Sequence, residues 1–235
     1  MKSEDNYKIL KSQKTKLGNI IELVAASDFP LHSSLIIGVF HGDEPQGKYL
    51  IEEYLKGNTT LPHSKSLISG RKLLFIPCLN PDGLQLGKRT NANGVDLNRN
   101  FPTKNWGENL GDNATCDDVN TAYYGGKSAG SEIETQFLID TINEFKPEII
   151  LTLHAPYKVV NYDGPAQKIS EEISKIINYP VEASIGYPTP GSFGTYAGIE
   201  RNIPTITLEL DEECPVQNLK TPVHRIFEEL KRTVL

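Results

Sequence analysis

Ser34-Leu35-Ile36-Ile37-Gly38-Val39-Phe40-His41-Gly42-Asp43-Glu44-Pro45 is the stretch from which the fold can be read. Its first half is a short run of aliphatic and β-branched residues, the composition of a strand buried in a sheet. A histidine and a carboxylate three positions apart follow directly where that run ends. In an open α/β sheet, ligands bind beyond the carboxyl ends of the strands. His41 and Glu44 are therefore candidate ligands for a zinc ion. A lone H-x-x-E is also what an ordinary polar loop contains, so its weight depends on what else converges on it.

Downstream, Gln46 to Lys56 carries Leu50, Ile51, Tyr54 and Leu55 at helical spacing, with Gly57-Asn58 as a plausible C-terminal stop. Upstream, residues 7–27 hold two apolar clusters around Gly18-Asn19, which predicts an antiparallel hairpin on the sheet edge. Lys72 to Cys78 reads as another buried strand, running into a turn at Asn80-Pro81-Asp82-Gly83. Ser131 and Glu134 form a capping-box pattern that opens a helix to about Phe145, with Ile133, Phe137, Leu138 and Ile142 on its buried face. A strand then delivers His154. A helix over 165–177, a strand over 203–210 and an amphipathic helix over 218–235 complete the pattern. Alternation of strands and helices predicts an α/β fold: a mixed, mostly parallel central sheet with helices on both faces, as one domain over 1–235. Residues 84–130 have little periodicity and are rich in Gly, Asn, Asp and Pro. A loop region of that length inside a compact domain is expected to be functional.

The 235 residues are 38% hydrophobic and 23% charged, which excludes a disordered chain. No apolar run approaches the roughly 20 residues of a membrane-spanning helix. The first residues lack the apolar core of a secretory signal, so a cytoplasmic location is expected. A net charge of −6 without a basic run argues against nucleic acid as partner. Of three cysteines, Cys78 falls in an apolar strand as a small hydrophobe, a Cys116–Cys214 bridge is left open, and no C-x-x-C spacing points to a cysteine metal site.

His154 ends the run Leu151-Thr152-Leu153 just as His41 ends its own strand. With Glu44, the two histidines supply two imidazoles and a carboxylate, a set that leaves the fourth zinc position open for catalysis. Lys88 to Pro102 is too densely polar to form a core. Arg89 and Arg99 within it are suited to bidentate capture of a carboxylate or stabilisation of an oxyanion.

His41-x-x-Glu44, Asn80-Pro81-Asp82-Gly83, Gly94-Val95-Asp96-Leu97-Asn98-Arg99-Asn100-Phe101-Pro102, His154 and Thr207-Leu208-Glu209-Leu210 occur in the order found in the zinc metallocarboxypeptidases, which the chain resembles over residues 34–212. The resemblance implies one zinc ion per chain on His41, Glu44 and His154, with Glu209 as general base. It implies Arg89 at the oxyanion, and Asn98 and Arg99 on the terminal carboxylate of the substrate. Tyr187 is the preferred mobile substrate-binding tyrosine, with Tyr196 as the alternative. Asp96 is a candidate partner for His41, as are Asp43 or a backbone carbonyl.

Residues 91–106, Leu153-His154-Ala155-Pro156 and residues 185–194 resemble the bacterial murein peptide amidase branch. That branch implies hydrolysis of the γ-D-glutamyl–meso-diaminopimelate bond of a murein tripeptide during cell-wall recycling. Asp112, Asp117 or Asp118 would then be available for the zwitterionic end of the leaving residue. Two alternatives are an N-acyl amino acid hydrolase of the aspartoacylase and succinylglutamate desuccinylase type, and an inactive peptide-binding module. Oligomeric state is not legible.

Overall fold

The computed structural model describes residues 7–25, 32–58, 72–111, 114–115, 123–183 and 186–232. Strands β1 (Lys8–Lys14), β2 (Ile20–Ala25), β3 (Ser33–Gly38) and β4 (Lys72–Ile76) form one half of the sheet. A small separate hairpin, β5 (Asn109–Gly111) and β6 (Ala114–Thr115), lies in the long polar region. Strands β7 (Ile149–His154), β8 (Val159–Asp163), β9 (Val181–Glu182) and β10 (Thr205–Glu209) make the other half. The eight-stranded order is β1-β2-β4-β3-β7-β10-β8-β9. Its centre, β4-β3-β7-β10, is parallel, while β1-β2, β2-β4 and β10-β8 are antiparallel. The mixed, mostly parallel sheet expected from the sequence is the one found.

Alternation along each strand divides the core in two. Ile36, Phe75, Leu151, Leu153, Ile206 and Leu208 face α1 (Gln46–Leu55), α4 (Gln167–Ile177) and α5 (Val216–Arg232). Leu35, Ile37, Leu74, Ile76 and Ile150 face α3 (Ile133–Phe145) and the 88–102 loop, through Leu97 and Phe101. Each such side chain, fully removed from water, contributes about 1.5–3 kcal/mol. Phe227 of α5 joins the first layer through Tyr54 and Phe75, with ring centroids 5.3 and 5.7 Å away.

Several local expectations are corrected. Asn80-Pro81-Asp82-Gly83 is the start of a helix, α2 (Pro81–Leu86), rather than a turn. Asn80 caps it by accepting from Gly83 N at 2.9 Å, and Pro81 takes the first position, where no amide hydrogen is needed. The N-cap of α3 is Glu132, not Ser131, whose hydroxyl instead donates to Glu132 Oε1 at 2.6 Å. Because the helix starts late, Ile133 falls on its exposed side. Strand β8 was not anticipated, since Val159-Val160-Asn161-Tyr162-Asp163 is short and mixed in polarity. Cys78 and Cys214 are free thiols, and Cys116 lies outside the described residues, as do Asp112, Asp117 and Asp118. No helix among the described residues is long and apolar enough to cross a membrane.

Candidate active site

The carboxyl ends of β3, β7 and β10 open into a cavity of about 470 Å³. The parallel register sets its floor. Glu209 is the Cα partner of His154, and the main chain locks them together where Leu210 N donates to His154 O at 2.8 Å. On the antiparallel side, Thr205 lies opposite Asp163 and Thr207 opposite Asn161. Period-two alternation therefore puts Thr152, His154, Thr207, Glu209, Asn161 and Asp163 on one face. This stretch of sheet is polar toward the cavity and aliphatic toward α4 and α5.

The His41 loop reaches the same place from β3. Its path passes so close to α2 that a Cβ on Gly42 would lie 2.0 Å from the Gly83 carbonyl carbon, so no larger residue fits there. His41 Nδ1 is 2.7 Å from Glu44 Oε1, His154 Nδ1 is 3.0 Å from Glu44 Oε2, and the two Nδ1 atoms are 3.3 Å apart. Ligands about 2.0–2.1 Å from a tetrahedral zinc stand roughly 3.3 Å from one another. The three ligand atoms lie within 4.8 Å of one another, and this set can hold a metal ion. Phe40 borders it, its ring stacked 5.3 Å from His154 and packed 5.4 Å from Phe193. The electrostatics suit a cation. Burial disfavours charge on His41, but Asp96 and Glu44 outweigh it and lift its pKa to about 9. Burial likewise opposes ionisation of Glu44, yet His154 and His41 hold it well below the usual carboxylate range.

Asp96 is the hub behind this group. It is fully buried, at the N-cap of a short 3-10 turn over Leu97–Arg99, and accepts from Asn98 N at 2.9 Å. Its Oδ1 stands 3.3 Å from His41 Nε2. That is close enough for charge interaction but outside hydrogen-bond alignment, since Nε2 has no hydrogen-bond partner among the described residues. Its Oδ2 accepts from Arg89 Nε at 3.0 Å and also lies 3.0 Å from Nη2. A carboxylate behind a ligating histidine is the usual outer-sphere arrangement. Asp43, the other carboxylate considered for this place, is exposed.

Arg89 keeps Nη1 directed toward the site, 3.8 Å from Glu44 Oε1. Asn98 Oδ1 accepts from Phe193 N at 2.9 Å, which leaves its amide N–H groups for a ligand. Arg99 is buried, with Nη1 donating to Asn98 O at 2.7 Å. Glu209 is buried, and its Oε2 has no hydrogen-bond partner among the described residues. Burial and the nearby Glu44 raise its pKa, against the opposing influence of His154 and His41. Such a carboxylate is poised to accept a proton. Tyr187 is on the cavity rim and 39% exposed, whereas Tyr196 is 1% exposed and packed on Phe101.

Two of the cavity residues that escaped the sequence reading carry charge or an aromatic face into it, Asp163 and Tyr123. Asp163 sits at the far end of the floor, four residues below Glu209 in register and so about 13 Å away along the strand. Gly194 makes room for it, because a Cβ there would fall 2.0 Å from Asp163 Oδ2. Burial pushes Asp163 up to about 6. Tyr123 stands beside Arg89 and Arg99. Neither residue belongs to a motif, and only the unforeseen β8 and the path of residues 123–130 bring them in.

The zinc carboxypeptidase family profile matches residues 32–179. Murein peptide amidase A of Escherichia coli strain K12 is 37% identical over 180 residues, covering 75% of this chain and 70% of that protein. The crystal structure of murein-tripeptide amidase MpaA from Escherichia coli O157 superposes with a TM-score of 0.77 at 27% identity, over 97% of this chain and 93% of that one. Carboxypeptidase A from Helicoverpa armigera shares the fold at 18% identity, with a TM-score of 0.74 over 94% of this chain and 66% of its own. Ligand spacing, the buried carboxylate beside it and these likenesses lead to one conclusion: this chain belongs to the zinc carboxypeptidase family.

Proposed function

We propose that this protein is a cytoplasmic zinc hydrolase of cell-wall recycling. It releases the C-terminal residue of a short murein peptide by cleaving the γ-D-glutamyl–meso-diaminopimelate bond. One observation carries the reading: a single polar sheet face runs from the ligand cluster and Glu209 to a carboxylate, Asp163, at the far end, and Arg89, Asn98 and Arg99 line the same cavity. Diaminopimelate needs those three features together. Its α-carboxylate suits the Asn98 amide and the Arg99 guanidinium, and the γ-carbonyl of the D-glutamyl residue before it suits Arg89. Its distal ammonium suits Asp163. The likeness to murein peptide amidase A supports the same substrate class.

His41, Glu44 and His154 would hold one zinc ion. A zinc ion supplies a Lewis acid for the carbonyl and lowers the pKa of water from 15.7 to about 7. Glu209 accepts the proton of the attacking water and returns it to the leaving nitrogen as the C–N bond breaks. Arg89 meets the charge that develops on the carbonyl oxygen in the tetrahedral state, where stabilisation raises the rate. Asn98 and Arg99 orient the bond through the carboxylate, and Tyr187 closes over it. A paired assay tests the reading. L-Ala-γ-D-Glu-meso-diaminopimelate should release diaminopimelate, while an N-acyl aspartate should remain intact. The reverse pattern would assign an N-acyl amino acid hydrolase, and binding without turnover would assign a peptide-binding module.

A further inference from the structure

Arg89 and Arg99 come from opposite ends of the 88–102 loop, and two guanidinium groups lining one cavity repel each other. Asp96 holds Arg89 through Nε. Arg99 is held differently: Nη1 donates to Asn98 O, and its buried Nε has no hydrogen-bond partner among the described residues. Both guanidinium carbons instead lie close to the ring of Tyr123, at 5.5 Å for Arg89 and 5.4 Å for Arg99 from its centroid. The π-face of an aromatic ring attracts cations at such distances.

The main chain places this ring firmly. Tyr124 O accepts from Asp96 N at 2.8 Å. Gly125 O accepts from Asn100 Nδ2 at 2.6 Å, and Gly130 N donates to Asn100 O. Residues 123–130 are thus stitched along the same Asp96–Asn100 segment that presents Asn98 and Arg99. The ring is 40% exposed and lines the cavity, so it is not there to fill the core.

We infer that Tyr123 is a positioning residue whose ring holds the Arg89 and Arg99 guanidiniums at the spacing a peptide's scissile carbonyl and terminal carboxylate require. The inference rests on the carboxypeptidase reading for its catalytic consequence, but the arrangement of the arginines can be read without substrate. The experiment compares full-length zinc-loaded wild type with Tyr123→Phe, which keeps the π-face, and Tyr123→Leu, which removes it. Tyr123→Met replaces the leucine variant if that one does not fold.

Nitrogen-15 arginine spectra report ring-current shifts at the Arg89 and Arg99 Nε–H groups, assigned with Arg→Lys variants. Kinetics on the murein tripeptide report kcat and KM. Tyr123→Phe should keep both resonances and stay within about twofold of wild type. Tyr123→Leu should move both resonances and lower kcat/KM about tenfold. That loss should be split between a higher KM, from Arg99, and a lower kcat, from Arg89. Unmoved resonances in Tyr123→Leu, or wild-type kinetics in that variant when the wild type is active, would overturn the inference. If wild type cuts no murein peptide, the substrate reading fails while the resonances still decide the role of Tyr123.

Discussion

Replacing Asp96 by asparagine is expected to weaken zinc binding by about 10–100-fold, the usual effect of losing a partner behind a ligating histidine. At about 1.4 kcal/mol per factor of ten, that is roughly 1.4–2.8 kcal/mol. The substitution is nearly isosteric, so its effect is electrical. Burial opposes charge on Asp96, but Arg89 and His41 hold its pKa well below the usual carboxylate range, so a full negative charge is removed. Geometry leaves the asparagine no good orientation. If its oxygen keeps the Asn98 N–H, its NH2 faces the Arg89 guanidinium, donor against donor. If it turns over, the NH2 faces Asn98 N and His41 Nε2.

Two measurements separate the consequences of that substitution. Competition against a chromophoric chelator gives the zinc Kd. Turnover at saturating zinc gives what remains, the displacement of Arg89. Removing one oxyanion donor costs about 10²–10³ in kcat. Loosening it should cost about tenfold or somewhat more. A variant with wild-type zinc affinity and wild-type kcat/KM would refute the view of Asp96 as the shared anchor of His41 and Arg89. Unchanged affinity with lowered kcat would confine its role to the arginine.

Glu209→Gln should retain about one zinc per chain by elemental analysis and lose on the order of 10²–10⁴ in kcat; retained turnover would remove Glu209 as the base. Dialysis against a chelator should abolish activity, and added zinc should restore it at one equivalent per chain; full activity of the metal-free chain would end the metal reading. Asp163 links function to stability, because its pKa is raised from 3.8 to about 6 by burial. Its unfolded form releases its proton more readily, so it lowers stability as pH rises from about 4 to 6. Asp163→Asn should therefore gain on the order of 1–3 kcal/mol in denaturant unfolding at pH 8 while raising KM for substrates with a distal ammonium; a variant less stable than wild type, or with unchanged KM, contradicts that placement. His224 is buried with Nε2 on Leu50 O and an Nδ1 that has no hydrogen-bond partner among the described residues, and burial lowers its pKa. Its unfolded form binds protons more readily, so its contribution to stability is lost as pH falls below about 6.5; a His224→Phe variant should show a flatter acid limb in thermal melts than wild type.

The elements with long or strongly apolar patterns were legible: β3, β7, α1 and α5 form nearly where periodicity places them, because burial of their apolar faces dominates local preference. Short elements were not. β8 is five residues of mixed character, and it becomes a strand only because β10 offers it a free edge to pair with. The capping box at Ser131 failed for a similar reason. Asn100 and Glu132 draw Ser131 and the chain around it into side-chain bonds that start α3 a residue later.

Chemical identity belonged to the linear chain. Histidine and carboxylate at strand ends, and an Asp-Leu-Asn-Arg-Asn-Phe run, name a chemistry because donor type and spacing are written in the residues themselves. Distance belonged to the tertiary structure. His154 and Glu209 are 55 positions apart and become neighbours through the β7–β10 register, and the same sheet brings Asp163 to the far end of their face. Tyr196 and Tyr187 look alike in sequence, and packing on Phe101 buries the former while the rim leaves the latter open. Local spacing fixes which atoms can ligate or titrate, but only long-range pairing fixes which of them share a cavity. That division follows from backbone hydrogen bonds that connect strands without regard to their separation along the chain.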